Sequence, residues 1–226
     1  MQQIKPATYN PESVAALKKE LLDDRDRPLL MRAEDLRHFV STFGRINFIK
    51  FCYQEAIYQY PTVELVTWLE EQIAPYGKDK VIEIGSGNNC LAYYLGIQGT
   101  DNYCQQKHWV KQHYASLGQE TTCNKPPSET KVENIDALSA LKKFKPKLVI
   151  GSWVTPLWNE QLQSGNQYGV DYQKLIANCD RYILIGNKRV HGDLIHPFAP
   201  FEIKLVKGLI SRSQEPNLDC VFEWRR

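Results

Sequence analysis

The stretch Lys80-Val81-Ile82-Glu83-Ile84-Gly85-Ser86-Gly87-Asn88-Asn89-Cys90-Leu91-Ala92-Tyr93-Tyr94-Leu95 decides the fold. Val81, Ile82 and Ile84 form a β-branched run, the mark of a short strand buried on both faces. The run holds one acid, Glu83, and ends in Gly85-Ser86-Gly87. Leu91, Tyr94 and Leu95 then recur at helical spacing. Strand, glycine turn and helix is the layout in which backbone N–H groups at a helix N-terminus face a ligand. Glycine lets the main chain come close where a Cβ would intrude. The dinucleotide fingerprint Gly-x-Gly-x-x-Gly is incomplete, because Cys90 stands where its third glycine belongs. A tight turn that binds nothing would use the same glycines.

Upstream, the chain reads as helical. Asn10 caps a first helix with Pro11 at its first position, and Val14, Leu17, Leu21 and Leu22 form its apolar stripe. The Asp23–Arg27 charges read as a solvated link. A second helix runs from about Ala33 to Phe43 and stops at Gly44. A third, rich in aromatics, covers Asn47 to Tyr58. A fourth opens at Pro61-Thr62, carries Leu65, Val66, Leu69 and Ile73, and ends at Pro75-Tyr76-Gly77. The aromatics fit either helix packing or a lid over a ligand cleft.

Downstream, short strands alternate with helices. Gln98 to Thr100 is a second strand, ended by Asp101-Asn102. An acid at that point in a Rossmann-like sheet accepts hydrogen bonds from ribose hydroxyls, although Asp-Asn is also a common surface turn. Trp109 to Leu117 reads as a helix and Gly118 to Ser128 as a loop. A third strand near Val132 leads through Asp136 and Ala137 into a helix that ends near Phe144. Lys147 to Trp153 is a fourth strand and Tyr182 to Gly186 a fifth, with a helix over Val170 to Cys179 between them. Gln161 to Tyr168 is a polar loop, and residues 187–193 form another. Phe201 to Val206 and Cys220 to Trp224 alternate as strands do.

A chain of 226 residues fits one domain with an appendage and can bury about 70% of its unfolded surface. A net charge of +2 neither requires nor removes a nucleic-acid partner. The six cysteines show no zinc spacing, so no metal site is expected. They read as reduced thiols, with no signal peptide ahead of them, and the expected location is cytoplasmic. No apolar run is long enough to cross a bilayer.

Glu83-x-Gly85-x-Gly87 behind aliphatic residues resembles the first motif of the class I S-adenosylmethionine (SAM)-dependent methyltransferases. The resemblance covers about residues 80 to 226 and rests on Glu83, Gly85, Gly87, Asp101, Asp136 and Ser152-Trp153. Thr100-Asp101-Asn102, Ile150–Val154 and Ile185–Lys188 look like a methyltransferase-like subgroup of bacteria and phages, which implies no particular acceptor. The family implies a Rossmann-like three-layer α/β/α sandwich. Its seven-stranded, mostly parallel sheet closes with an antiparallel C-terminal hairpin. Residues 1–79 would be a helical extension packed on the core, and 80–226 the SAM-binding domain.

The same resemblance implies SAM as cofactor and assigns residues to it. Glu83, Gly85, Ser86 and Gly87 form the turn. Asp101 and Asn102 meet the ribose. Asp136 and Ala137 meet the adenine, although Asp136 equally fits a helix cap. Ser152 and Trp153 lie where the methyl is transferred. Methyltransferases acting on nucleic-acid exocyclic amines carry Asp/Asn-Pro-Pro-aromatic there; Ser152-Trp153-Val154-Thr155 departs from that and counts against such chemistry. Trp153, Trp158 or Tyr168 could favour the sulfonium cation by roughly 0.5–2 kcal/mol each. His191, in the loop after the fifth strand, is the candidate general base, with Arg189, Asp193 and Glu160 behind it; a surface-loop histidine is the competing reading. The acceptor is unidentified: a small molecule is favoured and nucleic acid stays open. A SAM-binding or fold-only module acting through partners is the alternative function, and an NAD(P)-binding oxidoreductase a further one.

Overall fold

The computed structural model describes residues 8–116, 131–161, 163–195 and 200–226. The expected loop at 118–128 lies outside them. Four helices come first: α1 (Pro11–Leu21), α2 (Ala33–Phe43), α3 (Arg45–Gln54) and α4 (Val63–Ile73). Then β1 (Val81–Ile84), α5 (Cys90–Leu95), β2 (Gln98–Asp101), α6 (His108–Ser116), β3 (Val132–Asn134), α7 (Ala137–Phe144) and β4 (Leu148–Ser152) follow. The chain finishes with α8 (Tyr172–Ala177), β5 (Arg181–Asn187), α9 (Lys188–Ile195), β6 (Glu202–Lys204) and β7 (Asp219–Arg225).

The sheet has the order β3-β2-β1-β4-β5-β7-β6. β1 pairs in parallel with both β2 and β4, while β7 runs antiparallel to β5 and to β6. This is the Rossmann-like, seven-stranded sheet expected of the family, with the reversed C-terminal hairpin. A dinucleotide-binding sheet has the order 3-2-1-4-5-6 and no reversed strand between its fifth and sixth. The hairpin exists because Phe222, Cys220 and Trp224 alternate with Val221 and Glu223, so each face of β7 has a defined set.

Alternation along the strands builds the three layers. Ile82, Ile84, Val149, Tyr182 and Leu184 face α7 and α8, where Ala140, Leu141, Tyr172 and Leu175 meet them. Val81, Leu148, Ile150, Ile183 and Ile185 face the other way, against Leu65, Val66 and Leu69 of α4 and Leu91 and Leu95 of α5. β1, β4 and β5 are therefore covered on both sides, which is why they read as hydrophobic runs.

α1, α2 and α3 close over a core of their own, with Leu17, Leu21, Leu36, Phe48 and Phe51 wholly buried. Ile210, from the connection between β6 and β7, joins that core. The two segments are stitched by backbone: the Tyr60 amide donates to the Ile210 carbonyl at 2.9 Å, and the Arg212 amide to the Tyr58 carbonyl at 3.1 Å. The Arg45 guanidinium donates to the Ser211 carbonyl at 2.7 Å and also to that of Ser213.

Several local expectations change. α3 stops at Gln54 rather than Tyr58, because Ala56 adopts a left-handed conformation (φ 55°) and the Ile57 amide bonds back to the Cys52 carbonyl at 2.8 Å. The Asp23–Arg27 run is exposed at Asp24, Arg25 and Asp26, as a solvated link would be, but it is also a built turn. Asp23 Oδ1 accepts from the amides of Arg25 and Arg27, each at 2.9 Å. Residues 188–195 form a helix where a loop was expected. The helix over 170–179 shortens to Tyr172–Ala177, capped by Asp171. The 161–168 segment is tied by bridges between Leu157 and Asn166 and between Asn159 and Ser164.

Candidate cofactor and acceptor site

The strand order places a ligand crevice beside β1. Its neighbours β2 and β4 lead away on opposite sides, so β1 borders the topological switch point at the carboxyl ends of the strands. The glycine turn sits at that edge. Gly85 and Gly87 have φ of 60° and 53°, and Asn89 follows at 61°. Glycine meets this left-handed requirement without strain. A Cβ on Gly85 would come within 2.9 Å of Val154 Cγ2, so the turn lies close against the exit of β4. A Cβ on Gly87 would meet nothing within 4 Å. The open side of the turn is therefore at Gly87, a space that a side chain would fill and a ligand can use.

The acid at the end of β2 is bound to this turn. Asp101 Oδ2 accepts from the Gly87 amide at 2.8 Å, and Oδ1 accepts from the Tyr103 amide at 2.6 Å. A carboxylate has about four acceptor positions, so two bonds leave capacity for hydroxyl donors. Burial raises the Asp101 pKa, and the two amides only partly offset it. Asn102 is exposed and uses Oδ1 to accept from the Cys104 amide at 3.0 Å.

Glu83 and Ser86 occupy the underside of the turn. Glu83 is 2% exposed and accepts from the Ala92 amide in α5 at 2.9 Å. Burial pushes its pKa up to about 8, against that hydrogen bond; Asp101 nearby adds to the rise. Its carboxyl ties strand to helix rather than lining the open face. The Thr100 hydroxyl donates to the Glu83 carbonyl at 3.0 Å, and the Ser86 amide to the Thr100 carbonyl at 3.0 Å. Ser86 Oγ and Asn89 Oδ1 turn inward over Gly99, where a Cβ would stand 3.0 and 1.9 Å from them. Ser86 thus turns its hydroxyl inward, and its main chain is engaged as well, the amide by the Thr100 carbonyl and the carbonyl by the Asn89 amide at 2.8 Å. Asn89 and Gly99 form a contact that no local pattern announced.

Asp136 and Ala137 lie one strand further out. The Ile135 amide donates to the Asp101 carbonyl at 3.1 Å, which brings the end of β3 beside the end of β2. Asp136 caps α7: Oδ1 accepts from the Ser139 amide at 3.0 Å and Oδ2 from its hydroxyl at 2.6 Å. Slight burial works against the charge, but these bonds hold its pKa below the usual value. The cap role is realised, and Asp136 remains exposed.

On the other side, β4 ends at Ser152 and Trp153. Trp153 has φ of 58°, a left-handed conformation rare for a bulky residue. Its amide donates to the Ile185 carbonyl at 2.8 Å. Its ring lies 5.6 Å from His191 and 6.4 Å from Tyr58, centroid to centroid. Tyr58 carries the Arg212 guanidinium 3.5 Å above its ring, and Tyr53 lies 4.1 Å from the same group. The Asn88 side-chain amide donates to the Glu55 carbonyl at 3.4 Å, so the glycine turn and this aromatic ledge are neighbours.

His191 is corrected on two counts. It lies on α9, not in a loop, and its side chain is wholly buried behind Trp153. The Asn187 amide donates to its Nδ1 at 3.1 Å. Burial lowers its pKa to about 4, although backbone bonds with Asn187 and Val154 oppose the fall. An imidazole so enclosed is out of reach of an acceptor and stays neutral near pH 7. It supports Trp153 from behind. Arg189, on the same helix as Asp193, pairs with Glu215. Glu160 is exposed, as is Trp158. Tyr168 packs instead on Trp109, His113 and Tyr114 of α6, 5.3–6.0 Å between centroids. The sequence shows Tyr58 only as one of the third helix's aromatics, and nothing in it pairs Tyr58 with Arg212. They are 154 residues apart and meet only through the stitched hairpin connection.

Among the described residues no group of three His, Cys, Asp or Glu side chains could hold a metal ion, and no helix is long and apolar enough to cross a membrane. No protein-family model matches the chain, and no curated protein does. Solved structures are similar only at low identity. An rRNA methylase from Streptococcus thermophilus is 9% identical, covering 71% of this chain and 96% of its own, with a TM-score of 0.38. A SAM-dependent methyltransferase from Agrobacterium tumefaciens is 9% identical over 71% of this chain and 60% of its own, at 0.34. A SAM-dependent O-methyltransferase from Thermotoga maritima is 8% identical over 81% of this chain and 72% of its own, at 0.37. Likeness at this level assigns no activity to the chain. The fold stands on its strand order, and the site on its geometry.

Proposed function

We propose that the chain is a SAM-dependent methyltransferase acting on a small-molecule acceptor in the cytoplasm. One observation carries the reading: the left-handed glycine turn, open at Gly87, is bound through that residue's amide to the Asp101 carboxylate, beside the switch point of a seven-stranded sheet with a reversed β7. SAM, when bound, supplies an activated methyl and its own leaving group, so the protein need only position and shield the reactants.

The residues divide that task. The turn Gly85–Gly87 gives close main-chain approach. Asp101 accepts from hydroxyls of a sugar on its remaining positions, with its orientation already set by Gly87 and Tyr103. Asp136 and Ala137 border the base end. Trp153 and Tyr58 wall the acceptor side with aromatic surface, which excludes water and favours a cation by roughly 0.5–2 kcal/mol per ring. Glu83 and Ser86 hold the turn from below. With His191 enclosed, the acceptor is one that needs no proton removed by it.

The fold-only reading keeps the sheet but gives Gly87 no ligand. The oxidoreductase reading conflicts with Cys90 in place of a glycine and with the position of β7. Incubation of the purified protein with SAM labelled in its methyl group and fractions of a cell extract tests the proposal. Label should pass to a low-molecular-weight fraction. Saturable SAM binding with no transfer to any fraction would leave a binding module.

A further inference from the structure

β6 closes one end of the sheet: among the described residues it pairs with β7 and with no other strand. One rank of its backbone N–H and C=O groups is therefore open to a further strand. Apolar side chains are left uncovered there too. Ile203 is 45% exposed, and Leu205, just past the strand, is 79% exposed, the highest value among the described large apolar residues. Ile203 stands opposite Phe222, and Phe201 packs on Phe222 and Trp224. These residues carry the apolar face that β7 turns toward α7 and α8 out to the last strand.

Edge strands are commonly guarded by charge against pairing with other chains. Here the two charges are opposite in sign and stand symmetrically about Ile203, in the run Phe201-Glu202-Ile203-Lys204-Leu205. Two such runs, antiparallel with a two-fold axis at Ile203, set Glu202 against Lys204 of the second copy and Lys204 against that copy's Glu202. The same register sets Ile203 against Ile203 and Phe201 against Leu205. Directly opposed side chains share a face, so the charged pairs fall on one face and the apolar pairs on the other. A slip of one residue sets Ile203 against a charge and breaks every pair. The Glu202 side chain is 71% exposed and reaches Lys204 of its own chain only at 3.6 Å, so it keeps acceptor capacity. Lys204 holds Glu223 of its own chain and, as an ammonium, has three donors to share.

We infer that a second copy of this chain docks on β6, antiparallel about Ile203, so that the two sheets run on as one across a two-fold axis. The interface is isologous and closes at two copies, because it uses the same edge of both. A strand this short buries less than a standard interface, so the dimer is weak and forms at raised concentration. β4, β5 and β7 stand between this edge and β1, and pairing leaves the Gly87 turn of each copy as it is.

Sedimentation velocity on the full chain, from about 1 µM to about 1 mM, tests the inference. Monomer should give way to dimer and to nothing larger. Hydrogen exchange read by mass spectrometry should show residues 201–205 gaining protection as the dimer forms. Glu202→Lys puts like charges in both charged pairs and should weaken the dimer about tenfold or more. Glu202 stands opposite Glu223 within the chain, so this variant should melt no lower than the parent. Ile203→Asp, at an exposed position, sets two carboxylates face to face on the axis and should weaken the dimer as much. A chain that stays monomeric throughout overturns the inference; protection of 201–205 even then would mean that the chain covers its own edge. A dimer that neither variant weakens also overturns it, because the contact then lies on another surface. Assembly beyond two copies would rule out the two-fold register.

Discussion

The Gly87 amide donates a 2.8 Å hydrogen bond to Asp101 Oδ2, joining the glycine turn after β1 to the end of β2. The bond turns two motifs fourteen residues apart into one object. Asp101→Ala leaves the amides of Gly87 and Tyr103 without their acceptor. Each orphaned amide costs about 1–3 kcal/mol when shielded from water. Stability should fall by that order, and affinity for S-adenosylhomocysteine should drop roughly tenfold or more, because the lost bonds were charge-assisted. Asp101→Asn keeps one carbonyl oxygen and should fall between. Thermal melts and calorimetry check both; unchanged affinity in the alanine variant would remove Asp101 from the site.

Gly87→Ala tests the open face directly. The new methyl meets no neighbour, so the fold should lose only the left-handed penalty, about 1–2 kcal/mol. Cofactor affinity should fall much further than stability does, since the methyl occupies the approach. A variant that binds as the parent does would show that the ligand lies elsewhere.

Glu83 makes stability depend on pH. Its folded pKa of about 8 lies above the unfolded value near 4.5, so the native state holds more protons between them. Stability is then greatest below about pH 4.5 as far as this group is concerned, and declines as pH rises toward 8. Glu83→Gln keeps an acceptor for the Ala92 amide without the buried charge. The variant should melt higher than the parent at pH 8 and nearly equal at pH 5. Parallel pH profiles for the two proteins would exclude a titrating Glu83.

Trp153 holds a left-handed backbone that glycine adopts freely. Both Trp153→Ala and Trp153→Gly lose the ring packed between Tyr58 and His191. They differ in backbone, so the glycine variant should be the more stable by about 1 kcal/mol. Denaturant unfolding measures the difference, and an alanine variant as stable as the glycine one would argue against strain at this position.

Much of the fold could be read from the chain because its signals are local. β1, β4 and β5 are buried on both faces and appear as apolar runs, that of β1 interrupted only by Glu83. α1 and α4 announce themselves by Asn10 and Thr62, which accept from first-turn amides as caps should. The end of α3 was hidden because Ala56, not glycine, takes the left-handed turn. α9 was hidden because Gly192 and a polar start disguise it, although Asn187 accepts from the Arg189 amide at 3.0 Å and could have been read as its cap. In the site, an acid after β2 was legible but its partner was not: the Gly87 bond depends on the register that sets Ile84 against Thr100. The enclosure of His191 and the seat of Arg212 on Tyr58 arise from contacts between distant segments, which no window of sequence contains.

The central claim is that the turn at Gly85–Gly87, with Asp101, holds the nucleoside end of SAM. Calorimetric titration of S-adenosylhomocysteine, with NADH in a parallel cell, tests it most directly. The account predicts saturable binding at one site per chain for the first, competed by SAM and weakened roughly tenfold or more in Asp101→Ala, and no heat from the second. Binding of NADH in place of S-adenosylhomocysteine, or of neither, would contradict it.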